Sequence, residues 1–524
     1  MNDSSAYSKF KIQIFIFGAF CFVVAFSIIQ GLFTLDPHHW GLMLGNAKDL
    51  SDGLTPYKDI FIQYGIVTTV VQAAAFSVGK NLLSLIVVTS IFYACGLAGL
   101  YFLAKGVLKN QSLVIYVFIT LVLFHPLAIY PWANYIAFPF LVCGLYLLIL
   151  RSHSRIALLL SGVCFGIAVL SREGLAVPCL LLLIFSFVID IWKGGKSLRS
   201  EFLGFISSLF GFCIPIGIFF AYLYISDLYP YWQKLSIELP SMYANEIFTH
   251  MRSNPLREII KEIYQGYRHA DIRWVLVSII LIANTYVLIL YVLKQTRAYV
   301  NASTAKIALA TLLLLSSSLH LAEVFRVATS SAIGLINVYA ILQANGRAKP
   351  FFIFFGLWLG LTATYGNRGN YFFPENLNYK NVELVSEPAI FKGQIWPSDA
   401  VTYYQSLDGI FHHLAKSGCH LTYQYNHSND SFLPILSPLR QMQLAPFDVS
   451  EQMEELRPDL KRWVFTHSPD KLLIIDSVSR GANSPYMQNG SHKLIARLPR
   501  PEAYFVKKDQ DLLILAPLSC PEYK

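Results

Sequence analysis

The sequence predicts a multispanning α-helical membrane protein, about eleven transmembrane helices followed by a C-terminal extracytoplasmic α/β domain. Three observations carry this expectation. Of the 524 residues, 55% are hydrophobic and only 14% charged, where a soluble chain averages nearer a quarter charged. The apolar residues gather in runs of the length needed to cross a hydrocarbon layer of about 30 Å. Near residue 367 the composition changes sharply to polar and turn-forming segments.

The first run, Ile12 to Phe33, is too long for a signal-peptide core and lacks a small-residue cleavage pattern, so it reads as a retained helix. Further spans are expected near 82–104, 112–130, 135–150, 156–171, 175–192, 202–225, 274–293, 305–320, 327–344 and 350–366. Several are short, and 156–192 can be divided in more than one way. The loops set the orientation. Lys9 and Lys11, Lys105 and Lys109, Arg151 and Arg155, Lys193, Lys196 and Arg199, Lys294 and Arg297, and Arg347 with Lys349 all fall on one side. That side is cytoplasmic by the positive-inside rule. The turn His125 to Asn134 on the other side has neither Lys nor Arg. The formal charge of +9 is therefore a topology signal, and it implies no nucleic-acid partner. An N-terminus inside and eleven spans place everything after Asn367 outside. The expected division is a membrane domain over 1–366, with outer loops 34–81 and 226–273, and an outer α/β domain over 367–524.

Loop 226–273 is rich in aromatic and basic residues: Tyr229, Tyr231, Trp232, Tyr243, Tyr264 and Tyr267, with Arg257, Arg268 and Arg273. Anchoring at the headgroups and a surface for sugars are both open readings. In the outer domain, Val401 to Ser417 has helical periodicity, with Tyr404, Leu407, Ile410, Phe411 and Leu414 on one face. Ser450 to Val464 predicts a second helix with Ser450 as its N-cap. Lys471 to Asp476 reads as a buried strand, and Ala503–Lys507 with Asp511–Ala516 as a hairpin. His412 and His413 are expected to be one buried and one exposed. Six Cys (21, 95, 143, 164, 179 and 213) lie in apolar runs and read as small packing residues. Cys419 and Cys520 lie outside those runs, in a compartment that permits a disulfide between them.

The stretch from Gly31 to Gln72 carries the chemistry. Asp36 is the first charge after the first span, followed by Pro37, His38, His39 and Trp40. Asp59, Gln63 and Tyr64 then return polar groups toward the membrane. A carboxylate at a helix end, two imidazoles and an interfacial Trp suit a reaction on a lipid-borne substrate. An ordinary interfacial loop gathers the same residue types, and Asp36 as a merely solvated charge stays open beside the catalytic reading.

This stretch, with Gly53-Leu-Thr-Pro-Tyr-Lys-Asp59 and Gln63-Tyr-Gly65, resembles the first extracytoplasmic loop of the GT-C glycosyltransferases. The resemblance is detailed over roughly Asp36 to Gly79 and is architectural elsewhere. In size and layout the chain resembles O-antigen glucosyltransferases, within a superfamily that includes the lipid A aminoarabinose and protein O-mannosyltransferases. Two departures stand out. Many relatives carry a second acid beside the first, where Pro37 and His38 stand here. The aminoarabinose transferases have a Lys near the loop's end, where Gln63 and Tyr64 stand here.

The resemblance implies an enzyme of the bacterial cytoplasmic (inner) membrane with its outer domain in the periplasm. It would transfer a monosaccharide, a hexose as leading expectation, from a polyprenyl-phosphate donor to a surface glycan or lipid-linked glycan. Such transfer needs a base for the attacking hydroxyl and cations for the leaving phosphate. A phosphate leaves without protonation, so one carboxylate opposite it suffices and predicts inversion; Asp36 takes that role. Arg172, in Ser171-Arg-Glu-Gly174, and Arg326, in Leu319-His-Leu-Ala-Glu-Val-Phe-Arg326, are the candidate phosphate ligands, since a guanidinium fork bonds two oxygens. Local pairing with Glu173 and with Glu323 is the open alternative for each. His38, His39, Asp59, Gln63, Tyr64, Glu173 and His320 complete the expected substrate-binding set. His38 and His39 read as hydrogen-bonding groups, so no metal or other cofactor is expected, although His320 and Glu323 at i, i+3 could supply a second pair of ligands. Two rivals remain: a transporter or flippase of lipid-linked sugars, which would call for a polar pathway and inverted repeats, and a scaffold presenting the outer domain. The sequence shows neither feature of a transporter.

Overall fold

The computed structural model describes residues 3–62, 64–108, 110–124, 132–193, 197–242, 260, 264, 272–295, 297–318, 324–365, 381–417, 419–428, 430–441, 469–487, 490–501 and 510–520. The chain opens with α1 (Asp3–Leu32), α2 (His39–Ser51), α3 (Ile66–Gly79), α4 (Leu82–Val107), α5 (Gln111–Leu123) and α6 (Ala133–Leu150). It continues through α7 (Arg155–Ser171), α8 (Ala176–Lys193), α9 (Leu198–Ile225), the short α10 (Tyr229–Gln233) and α11 (Ile272–Val292). The last helices before the sheet are α12 (Ala302–Ser316), α13 (Val324–Ala332), α14 (Leu335–Ala344) and α15 (Ala348–Tyr365).

Among the described residues, seven helical segments are long and apolar enough to cross a membrane: Gln13–Leu32, Leu82–Val107, Ala133–Leu150, Glu173–Trp192, Leu198–Ile225, Arg273–Val292 and Val327–Ala344. These make the chain a multi-pass membrane protein. The remaining four expected spans coincide with shorter apolar helices of 10–17 residues, at Gln111–Leu123, Arg155–Ser171, Ala302–Ser316 and Ala348–Leu359. The count of eleven therefore exceeds what helix length alone supports.

Polar caps start these helices where the sequence supplies them. Asn81, Asn110, Ser154 and Ser197 each accept a backbone N–H of the first turn, which satisfies donors the helix cannot. Small residues bring helices together, the usual route where lipid offers no hydrophobic gain between them. A Cβ added at Gly162 would run into the Ser208 carbonyl, and one at Gly211 into that of Leu159, so α7 and α9 pack backbone to backbone. Inside the bundle Asn337 donates to Asn284 Oδ1 (2.8 Å) and to the Thr304 carbonyl (2.9 Å), tying α14, α11 and α12 together. Of the six Cys read as packing residues, only Cys179 is buried. Cys164 is half-buried, and Cys21, Cys95, Cys143 and Cys213 sit on exposed helix faces, because helical period and not residue size decides which face a Cys occupies.

α3 is not a span. Its first turn is fixed to the end of α7, Thr68 donating to the Ser171 carbonyl (2.8 Å). Its last residue, Gly79, packs on Ser84 at the start of α4, and Ile86 one turn later meets Gly31 near the end of α1. Both ends of α3 thus lie on one face of the bundle, the face on which α1 ends.

On that face sits a sheet domain. β1 (Val382–Leu384) and β2 (Ile395–Pro397) pair antiparallel. α16 (Ser398–Lys416) follows, then a five-stranded sheet of β3 (Tyr423–His427), β4 (Arg440–Gln441), β5 (Leu472–Ser479), β6 (His492–Pro499) and β7 (Gln510–Pro517), in spatial order β4-β3-β5-β7-β6. β4, β3 and β5 are parallel, while β7 runs antiparallel to both β5 and β6. β5 is apolar on both sides because both are covered. Leu473 and Ile475 join the core beneath α16, while Leu472 and Ile474 join a second cluster with Tyr425. The expected partner strand Ala503–Lys507 and the expected helix Ser450–Val464 lie outside the described residues; β7 pairs instead with β5 and with β6, a strand the sequence reading missed. His412 and His413 are both exposed, since Ala400, Val401, Tyr403, Tyr404, Leu407, Ile410, Phe411 and Leu414 make up the buried face of α16. Cys419 and Cys520 are joined by a disulfide, their Cα atoms 4.9 Å apart.

Candidate active site

The site begins where α1 stops. Thr34 turns its hydroxyl back to the Gln30 carbonyl (2.9 Å), and two residues later Asp36 starts the next turn. Asp36 Oδ1 accepts the backbone N–H of His38 (3.1 Å) and of His39 (3.0 Å). With Pro37 behind it, Asp36 therefore acts as an N-terminal cap for α2. Its other oxygen, Oδ2, lies 2.8 Å from His39 Nδ1. A carboxylate can only accept, so Nδ1 carries the proton. Asp36 is only 6% exposed. Burial pushes its pKa up, but the His39 imidazole and amide, with the charge of His38, outweigh burial and hold the carboxyl below its ordinary value of 3.8. Asp36 is thus an ionised group, held by the capping geometry and aimed by His39.

From His39 the site extends through aromatic contacts. The His38 and His39 rings meet edge to face at 4.6 Å, and His39 meets the Trp132 indole at 4.9 Å. The Tyr64 ring also lies against Trp132, at 4.3 Å. Trp132 is fully buried at the start of α6 and joins the two ends of the loop, a role the sequence reading missed. The only sign of it was a Pro-Trp-Ala-Asn turn without Lys or Arg.

The loop's far end is fixed to α7. Gly65, at φ +146°, lies against that helix, and a Cβ there would come within 2.5 Å of the Leu170 carbonyl oxygen. The Tyr64 carbonyl accepts the Glu173 N–H at 3.0 Å. Glu173 Oε1 accepts from Trp232 Nε1 (3.4 Å) and Ser236 (3.3 Å), both in the segment after α9. Arg172 is 8% exposed, and its Nη1 donates to Ser318 Oγ (3.4 Å), which lies 3.1 Å from Ser330 Oγ. Asp36, His38, His39, Tyr64 and Glu173 are therefore joined by one chain of contacts through Trp132, with Arg172 next to Glu173 in sequence. Asp59 serves the loop itself, its Oδ2 accepting the Thr55 N–H at 3.2 Å. Gln63 and His320 lie outside the described residues. Arg326 falls in α13, one turn before Ser330.

The sheet domain closes the site from above. Trp396 Nε1 donates to the Thr34 carbonyl at 3.1 Å, and the Ser431 N–H to the Pro37 carbonyl at 3.2 Å. Both acceptors flank Asp36. Gly41 permits this approach: a Cβ there would lie 2.5 Å from the Ser431 carbonyl carbon. Among the described residues, no group of three or more His, Cys, Asp and Glu side chains is placed to hold a metal ion.

No protein-family model matches the chain, and no curated relative matches it in sequence. Solved structures similar to it include the crystal structure of ArnT from Cupriavidus metallidurans bound to undecaprenyl phosphate, at 11% identity and a TM-score of 0.49, with 96% of this chain and 98% of that one covered. The apo form of that ArnT has 12% identity and a TM-score of 0.43 over 96% of this chain and 98% of that one. The archaeal oligosaccharyltransferase AglB from Archaeoglobus fulgidus, in complex with an inhibitory peptide and a dolichol-phosphate, has 9% identity and a TM-score of 0.48, with 89% of this chain and 69% of that one covered. Likeness at this level fixes no residue correspondence.

Proposed function

We propose that the chain is an integral membrane glycosyltransferase that moves a monosaccharide, a hexose, from a polyprenyl-phosphate donor to a surface glycan or lipid-linked glycan, with inversion. The Asp36 face would then be the outer, periplasmic face of a bacterial cytoplasmic membrane. The observation that carries the reading is a buried Asp36 at the end of the first span, bonded to His39 and connected through His39, Trp132 and Tyr64 to the Glu173 amide, next in sequence to the buried Arg172. In this reading Asp36 takes the proton of the acceptor hydroxyl as that oxygen attacks the anomeric carbon and the C–O bond to phosphate breaks. Arg172, with Arg326, holds the phosphate oxygens as they gain charge. His38 and His39 position the carboxylate.

The 2.8 Å contact also favours a second assignment, with His39 as the base and Asp36 as its orienting partner. A flippase reading gives no role to this pairing.

Asp36→Asn and Asp36→Ser both keep an N-cap but cannot take a proton. Assayed in membranes with a supplied lipid-linked donor, each should lose about 10²–10⁴-fold in transfer rate while inserting and binding donor as the wild type does. Near-normal transfer by either variant sinks the mechanism and leaves Asp36 as a cap alone.

A further inference from the structure

At the end of the bundle away from Asp36 lies a small cavity between four helices. α6 and α8 end there and α7 and α9 begin there, whereas α6 starts at Trp132 and α7 ends against Gly65 in the site already described. The cavity measures about 20 Å³, room for one water-sized group. Ser186, Asp190 and Glu201 line it, and the stacked rings of Phe187 and Phe205, 5.0 Å apart, form an apolar wall.

Two groups in this lining have hydrogen-bonding capacity that the described residues do not use. Ser186 is 1% exposed, and its Oγ has no partner among them. Helical serines commonly return the hydroxyl to the carbonyl one turn back, as Ser207 does to Leu203 (2.9 Å) and Ser208 to Gly204 (3.2 Å). Ser186 makes no such bond and lines the cavity instead. A buried hydroxyl is costly to leave so, and it signals a partner the chain does not supply. Asp190 engages only Oδ2 among the described residues, accepting from Lys306 Nζ of α12 at 2.6 Å, and its side chain keeps 23% exposure.

The lining chooses the ligand. Carboxylates and a hydroxyl offer acceptors to a compact group that donates several bonds and carries positive charge, which describes an ammonium. Lys306 already shows that pairing at Asp190 Oδ2. A divalent metal would want more oxygen ligands, and among the described residues no three acidic, His or Cys side chains converge on one point.

The surroundings choose its source. Exposed Arg151, Arg155 and Arg199 stand within three residues of the lining residues Ser152, Leu158 and Glu201. Phe185 of α8 and Phe202 of α9 are exposed, as side chains that meet acyl chains are. Carboxylates in the cavity, arginines at the same end and apolar faces alongside match an ammonium, a phosphate and two tails. A trimethylammonium donates no hydrogen bond and is larger than the cavity.

We propose that this cavity binds the ammonium of an ethanolamine phospholipid through Asp190 and Ser186, while Arg151, Arg155 and Arg199 attract its phosphate. The site is independent of the transferase reading.

The test uses the full chain in detergent, with phosphatidylethanolamine and phosphatidylcholine of matched acyl chains as probes. Native mass spectrometry counts the bound lipid. The wild-type protein should bind phosphatidylethanolamine more tightly than phosphatidylcholine by about tenfold or more, the worth of one hydrogen bond to a charged group. Ser186→Val fills the cavity and removes its hydroxyl, so that preference should vanish; Asp190→Asn should lose it too. Asp190→Asn also removes the charge opposite Lys306, so Ser186→Val carries the test if that variant fails to fold. Free ethanolamine in excess should leave the lipid in place; displacement would make the ligand a soluble amine and overturn the lipid assignment. Equal affinity of the wild-type protein for the two lipids, or an unchanged preference in folded Ser186→Val, overturns the proposal and leaves the cavity to water.

Discussion

Asp36 and His39 form one unit: Oδ2 of the first and Nδ1 of the second are 2.8 Å apart, while Oδ1 caps the helix on which His39 sits. His39 is the principal group that lowers the Asp36 pKa against the effect of burial. Removing the imidazole should therefore raise that pKa. Because the carboxylate is the active form, the acid limb of the pH–rate profile should move to higher pH in His39→Ala. The rate at neutral pH should fall less than in Asp36→Asn. Equal losses in both variants would make His39 the base, and an unmoved acid limb would show that His39 does not tune Asp36.

Arg172 tests the phosphate side. Arg172→Ala should weaken binding of a polyprenyl phosphate by about 10–100-fold, the worth of a charge-assisted hydrogen bond of about 1.5–3 kcal/mol. Arg172→Lys should restore only part, having lost the planar fork. Wild-type lipid affinity in a folded Arg172→Ala protein would remove this residue from the site.

Two glycines of α2 separate domain docking from helix propensity. At Gly41 an added Cβ meets the backbone of Ser431 and Phe432, whereas at Gly45 it meets only Ile435 at 3.6 Å. Gly41→Ala should cost about 1–3 kcal/mol by overpacking and lower transfer, because the displaced domain releases its bonds beside Asp36. Gly45→Ala should be neutral or more stable by up to about 1 kcal/mol. Thermal unfolding and rate measurements on the pair would show whether docking matters; equal behaviour would say it does not.

The disulfide gives a chemical count. With Cys419 and Cys520 joined across 101 residues, six of eight Cys remain free. Denatured, unreduced protein should therefore react at six thiols, and reduction should destabilise the sheet domain by about 4.7 kcal/mol on the loop-entropy estimate. Eight reactive thiols before reduction would refute the pairing.

The sequence by itself determined what depends on local pattern. Helices such as Leu82–Val107 and Leu198–Ile225 follow from uninterrupted apolar runs, because lipid tolerates no unpaired backbone. The helix Ser398–Lys416 follows from its period, and the first half of the strand Leu472–Ser479 from a short continuous apolar run. Asp36 was legible as the first charge beyond a span. Its capping of α2 was latent in the Asp-Pro pair, yet its bond to His39 needed the turn to form. Only the tertiary structure decided that the start of α3 bonds the end of α7, that Trp132 contacts both His39 and Tyr64, and that Trp396, 362 residues beyond Thr34, bonds its carbonyl. Those contacts are set by how separate elements pack. A single indole or a single glycine carries no periodicity from which a distant partner could be read.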